Sequence, residues 1–221
     1  WPPDLFCKLR RIAAAGFSTF FVDIAMGILT VLFNIQILKY LGTDALAVYG
    51  IIINISTFVQ CCAYSIGQAS QPMLSANFGA GKGKRIVQIL KYALETAAVF
   101  GVVWTALAVF APNFFVRIFM TPTEEILAIA PGIICSYGIS FLLLPLNIFS
   151  TYYFQTLMKP LASFVVSVAR GAVVSGMLIY ILPAAAGADA VWLAMPVTEL
   201  LVAVYVVLKM VRYTKAVSME K

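Results

Sequence analysis

Polar side chains recur at helical intervals inside long apolar runs of this chain. In the clearest case Asn54, Thr57, Cys61, Tyr64, Gln68, Gln71 and Ser75 follow one another at spacings of 3, 4, 3, 4, 3 and 4, which places them on one face of a helix. The other faces are mostly Ile, Val, Phe, Ala and Leu. A second row, Gly16, Thr19, Asp23, Gly27, Thr30 and Asn34, has spacings of 3, 4, 4, 3 and 4. An amide without a partner is costly in hydrocarbon, so each row predicts a neighbour, either a further helix or a wet cavity.

The apolar runs predict six helical spans, at about 12–41, 45–78, 86–111, 126–152, 161–182 and 190–210. Each reaches the roughly 20 residues that cross a hydrocarbon core of about 30 Å. Continuous apolarity over such lengths favours helices over the alternating strands of a barrel. Pro72, near the end of the second span, and Pro145, inside the fourth, predict kinks and are candidate hinges. A short piece at 113–120 predicts an interfacial segment, and Thr121-Pro122-Thr123-Glu124-Glu125 resembles a helix start. The expected fold is an all-α membrane protein, a six-transmembrane-helix bundle at 16–210. An amphipathic basic linker at 1–15 precedes it and a polar tail at 211–221 follows.

Composition agrees with this pattern and narrows it. Of 221 residues, 62% are hydrophobic and 11% charged, with a mean hydropathy of +0.98, which excludes a water-soluble globular domain. The net charge of +6 sits in short clusters between the spans, so it reads as a topology signal and not as a nucleic-acid surface. With the first piece inside, Lys8, Arg10, Arg11, Lys82, Lys84, Arg85, Lys91, Lys159, Lys209, Arg212, Lys215 and Lys221 share the cytoplasmic side. Lys39 and Arg117 fall outside. Both ends are therefore expected in the cytoplasm. The chain starts at Trp1 without a Met or a signal pattern and reads as a piece of a longer protein. No metal site is expected, since His is absent and the four cysteines show no CxxC spacing.

Four charges inside the runs are the chemical candidates. Asp23 lies in the middle of a polar face, and a carboxylate at that depth is by default a functional site. Glu95 follows Lys91 by four residues, which predicts a local pair near the interface. Arg170 and Glu199 are equally far, 14.5 residues, from the midpoint of the turn joining their antiparallel spans. They should reach one depth and form a structural ion pair. The glycine-rich stretch Gly79 to Lys84 departs from the Walker pattern at its first glycine and at its Ser or Thr, so ATP coupling is not expected. No catalytic triad or acid pair can be assembled, and no enzyme activity is expected.

Gly67-Gln68-Ala69-Ser70-Gln71-Pro72, followed by Asn77-Phe78-Gly79-Ala80-Gly81-Lys82 and Arg85, resembles the motif joining the second and third spans of a half in multidrug and toxic compound extrusion (MATE) transporters. Leu41-Gly42, Ala45 to Gly50, and Gln155 with Lys159 and Arg170 are further points of likeness. The resemblance covers almost the whole chain, as the C-terminal half of a twelve-helix, two-lobe transporter. It implies alternating access and efflux of cationic or amphipathic small molecules in exchange for H⁺ or Na⁺, with no cofactor. The implied partners are an N-terminal six-helix lobe of the same chain, a small organic substrate and the lipid bilayer of the plasma or bacterial inner membrane. Ion-coupling or substrate-binding residues are then expected among Asp23, Thr30, Asn34, Gln68 and Gln71. The fourth span lacks the acid that some MATE branches carry there. The alternatives are a lipid-linked oligosaccharide flippase of similar architecture and a membrane scaffold that transports nothing.

Overall fold

The computed structural model describes residue 24 and residues 26–219. The linker expected at 1–15 and the candidate Asp23 lie outside the described residues. Among those described, α1 (Met26–Tyr40) is followed by α2 (Gly42–Gly79), α3 (Gly83–Phe110) and the short α4 (Pro112–Phe119). The fourth span consists of α5 (Glu124–Gly138), one tight turn at Ile139–Leu142, and α6 (Leu144–Thr156). The fifth consists of α7 (Pro160–Val168), a wide π-type turn at Ala169–Val173, and α8 (Val174–Ala186). A tight 3₁₀ stretch at Ala188–Leu193 leads into α9 (Ala194–Met219). Five of these helical stretches are long and apolar enough to cross a membrane, and α1 is a shorter apolar helix.

The helix ends follow from local chemistry. At the end of α2, Gly81 takes φ +65° while the Lys82 amide donates to the Asn77 carbonyl and the Gly81 amide to that of Phe78. This is a Schellman cap, and it needs a left-handed residue where glycine carries no Cβ penalty. The glycine-rich stretch thus closes a helix. The same device ends α6: the Lys159 amide donates to Phe154 and the Met158 amide to Gln155, with Met158 itself at φ 55°. Thr123 caps α5, its hydroxyl accepting from the Ile126 amide at 3.3 Å, with Glu124 and Glu125 in the first turn.

Three boundaries differ from expectation. The break in the fourth span lies at Ile139–Leu142, and Pro145 sits in the first turn of α6, where its missing N–H leaves no helical bond unmade. The end of α2 is as expected, with Pro72 inside a helix that runs to Gly79. Helix α8 continues through Pro183 to Ala186, and α9 through residues 211–219, beyond the expected ends at 182 and 210.

Packing is tight where small residues meet bulky ones. Helix α2 lies against α6, α3 and α5, and the Tyr152 ring occupies the place a Cβ on Gly67 would take. A Cβ on Gly101 would stand 2.6 Å from the Leu142 carbonyl oxygen. Two apolar clusters fill the bundle, one around Phe33, Tyr49, Ile52, Tyr137 and Trp192, the other around Leu74, Phe149, Tyr153, Phe154 and Val206. A polar layer separates them. In each of three spans it lies between members of the two clusters: Asn147 between Leu144 and Phe149, Arg170 between Val166 and Ile179, and Glu199 between Met195 and Val202.

Candidate functional site

That layer is the chemical centre of the described bundle. Arg170 donates from Nε to Glu199 Oε1 at 2.5 Å, and Asn147 donates from Nδ2 to Glu199 Oε2 at 2.6 Å and to the Glu199 carbonyl at 2.9 Å. Glu199 and Asn147 are fully buried. A buried charge is held only with a partner and further hydrogen bonds, and here both carboxylate oxygens have a donor. The wide turn carrying Arg170 is closed by Ser175, whose hydroxyl donates to the Arg170 carbonyl at 2.9 Å. On the next residue, Gly171, a Cβ would lie 3.3 Å from Met26 Sδ, so the fifth span approaches α1 closely there.

Two small cavities adjoin the layer and share Met26, Gln60 and Arg170 in their walls. One, of about 250 Å³, is lined by Thr30 of α1, by Ser56, Thr57 and Gln60 of α2, and by Tyr137. The other, of about 220 Å³, is lined by Gln60, Tyr64, Asn147, Thr151 and Ser167. In the first wall Ser56 Oγ is buried beside the Tyr137 side chain, and in the second the buried Asn147 Oδ1 has no protein partner. Both cavities have polar groups in their walls and exceed the roughly 30 Å³ share of one water molecule. They can hold water or a small polar group.

The residues expected at the site are only partly brought together. Thr30 faces the first cavity, its hydroxyl bonded back to the Met26 carbonyl at 3.1 Å. Asn34 is half-buried, Gln68 exposed and Gln71 half-buried, and none of the three lines a cavity described here. The polar row of α2 turns away from the lobe's own core: Asn54, Thr57, Cys61, Tyr64, Gln68 and Ser75 are exposed, while Ile52, Ile55, Val59, Ala63 and Leu74 on the other side are buried. Asn54 and Thr57 satisfy themselves on carbonyls one turn back, at 3.0 and 2.9 Å. Within the described lobe the row makes one ring contact, Tyr64 edge-on to Tyr152 of α6 at 6.4 Å, and most of it faces away from the core. Gln60 and Ser56 belong to no sequence row, and only their neighbours in the fold reveal them. Asn147 carried a signal, a lone amide in a span without an acid. Among the described residues no group of three His, Cys, Asp or Glu could hold a metal ion.

A family model described as MatE matches residues 16–181. The chain belongs to the MatE family. Solved MATE structures share its fold. The outward-facing conformation of a multidrug resistance MATE family transporter of the MOP superfamily superposes with a TM-score of 0.83 at 17% identity, over 95% of this chain and 47% of that one. A MOP superfamily transporter from Pyrococcus furiosus, described as having a binding pocket of reverse polarity, gives 0.81 at 18% identity, over 95% and 47%. The MATE transporter ClbM in complex with Rb⁺ gives 0.75 at 16% identity, over 96% and 51%. This MatE chain thus spans about half the length of those transporters. No curated protein matches it. The bundle is that of an integral membrane protein and has the fold of half a MATE transporter.

Proposed function

We propose that this MatE chain is one six-helix lobe of a secondary antiporter that exports cationic or amphipathic small molecules in exchange for H⁺ or Na⁺ by alternating access. The observation that carries the reading is the outward polar face of α2. A membrane helix that buries its apolar side in its own lobe and turns the Gln68 amide outward, with Asn54 and Ser75 on the same face, calls for polar surroundings there, and a second lobe across a wet cavity supplies them. Pro72 adds to that face, because a proline has no N–H to give the Gln68 carbonyl four residues back.

Asp23 is assigned to ion coupling, with Thr30, Asn34, Gln68 and Gln71 on the cavity walls and Pro72 and Pro145 as hinges. A carboxylate suits the coupling role because a proton, a metal cation or an organic cation each neutralises it, so that they compete. The Arg170–Glu199 pair is structural. A flippase reading is weaker, since a pyrophosphate needs free positive charge and Arg170 is already matched by Glu199. Both ends of the chain are assigned to the cytoplasmic side of the plasma or bacterial inner membrane. In vesicles with an imposed pH or Na⁺ gradient, Asp23→Asn should abolish driven efflux at unchanged expression. Undiminished efflux would remove Asp23 from the mechanism.

A further inference from the structure

A larger cavity than the two that share Arg170 lies away from the polar layer. It is a groove of about 690 Å³ between α2 and α3, walled by Cys62, Ile66, Ala69 and Met73 on one side and by Ile89, Ala93 and Phe100 on the other. Its hydroxyls are all turned back onto their own helices. Ser65 bonds to the Cys61 carbonyl at 2.8 Å, Ser70 to Ile66 at 2.7 Å and Thr96 to Tyr92 at 2.8 Å. Gln88 Nε2 donates to the Tyr92 hydroxyl at 3.3 Å. The depth of the groove therefore offers little to a polar ligand and suits hydrocarbon.

Its mouth is different. Gln88, Ile89, Tyr92, Thr96 and Phe100 line the groove along α3, and the exposed Lys84 and Arg85 lie one turn before Gln88 and Ile89, four residues back in each case. These cations occupy the start of α3, where the first turn has no acid and no side-chain cap. The helix dipole is positive at that end too, so local charges repel and an anion would relieve them. From Gln88 to Phe100 the groove runs about 18 Å at about 1.5 Å per residue, close to the depth of one leaflet of a roughly 30 Å core. Apolar depth, leaflet length and a basic rim describe one chemistry.

We propose that the α2–α3 groove binds an anionic phospholipid, with one acyl chain along the groove and its phosphate at Lys84 and Arg85. The site stands apart from transport and is tested by binding alone. Delipidated full-length protein is titrated with phosphatidylglycerol or phosphatidylcholine of identical chains, and retention is read by native mass spectrometry. With each basic residue near the surface contributing about fivefold, phosphatidylglycerol should be retained roughly 25-fold more strongly. Lys84→Gln combined with Arg85→Gln should remove that preference and leave phosphatidylcholine binding as it was. Ala69→Phe, which fills the exposed groove wall, should displace both lipids, and Arg117→Gln, in a different helix, should change neither. Equal retention of the two lipids by the unsubstituted protein overturns the proposal. So does a preference that survives the double substitution. Lipid retention unaffected by Ala69→Phe would place the lipid outside the groove, which equally overturns the proposal.

Discussion

Lys91–Glu95 and Arg170–Glu199 are ion pairs of similar chemistry in opposite settings. The first spans 3.7 Å between side chains 72% and 58% exposed; the second spans 2.5 Å between side chains 10% and 0% exposed. On the exposed pair, ordering two long side chains offsets most of the attraction. In the buried one each charge has lost its water, so what matters is the cost of leaving either charge alone. Chemistry alone does not rank such pairs. Burial does.

Substitutions that separate the two settings fall in a definite order. Glu199→Ala leaves the Arg170 guanidinium buried beside a void and should cost about 3–5 kcal/mol, seen as a large loss of unfolding midpoint or of folded yield. The double variant Arg170→Met with Glu199→Leu should be more stable than Glu199→Ala. If it is less stable, the pair is worth more than its desolvation and the comparison fails. Asn147→Ala removes a donor from a charged acceptor and should cost about 1.5–3 kcal/mol by the same measurement. Lys91→Gln should cost under about 0.5 kcal/mol, and added salt should erase the difference. An effect of Lys91→Gln as large as that of Asn147→Ala would show that the exposed pair is held in a way its exposure does not reveal.

The order of the spans among the described residues, and the extent of the second and third, were legible in the sequence because a bilayer demands long apolar runs and turn residues punctuate them. The meeting of Arg170 with Glu199 was legible too, since two residues equidistant from a turn in antiparallel helices reach one depth. Asn147 could be recognised as polar but not as the second donor to Glu199, because nothing in the sequence fixes the rotation of α6 against α9. The row from Asn54 to Ser75 shows the same limit. Its spacing defines a face, whereas the neighbour of that face is set by the packing of Gly67 on Tyr152 and of Ile52 and Val59 into the core. The break at Ile139–Leu142 escaped for a related reason: Pro145 is the visible helix breaker, yet Gly101 lets the Leu142 carbonyl approach α3 three residues earlier.

The wide turn at Ala169–Val173 bears on how the length of this chain can vary. Along the fifth span the buried residues include Ala162, Val166 and Arg170 in steps of four, then Gly171, Ser175, Ile179 and Pro183 in steps of four, so the register shifts by one residue at that turn. A wide turn accommodates one residue more than an α turn, so the surplus residue is absorbed and the stripe still faces inward. Losing one residue between 170 and 175 would leave an unbroken helix with an even stripe. Losing one elsewhere in the span would swing everything beyond it by about 100°. Gaps among aligned relatives should therefore gather beside Arg170 and be rare in the rest of this helix.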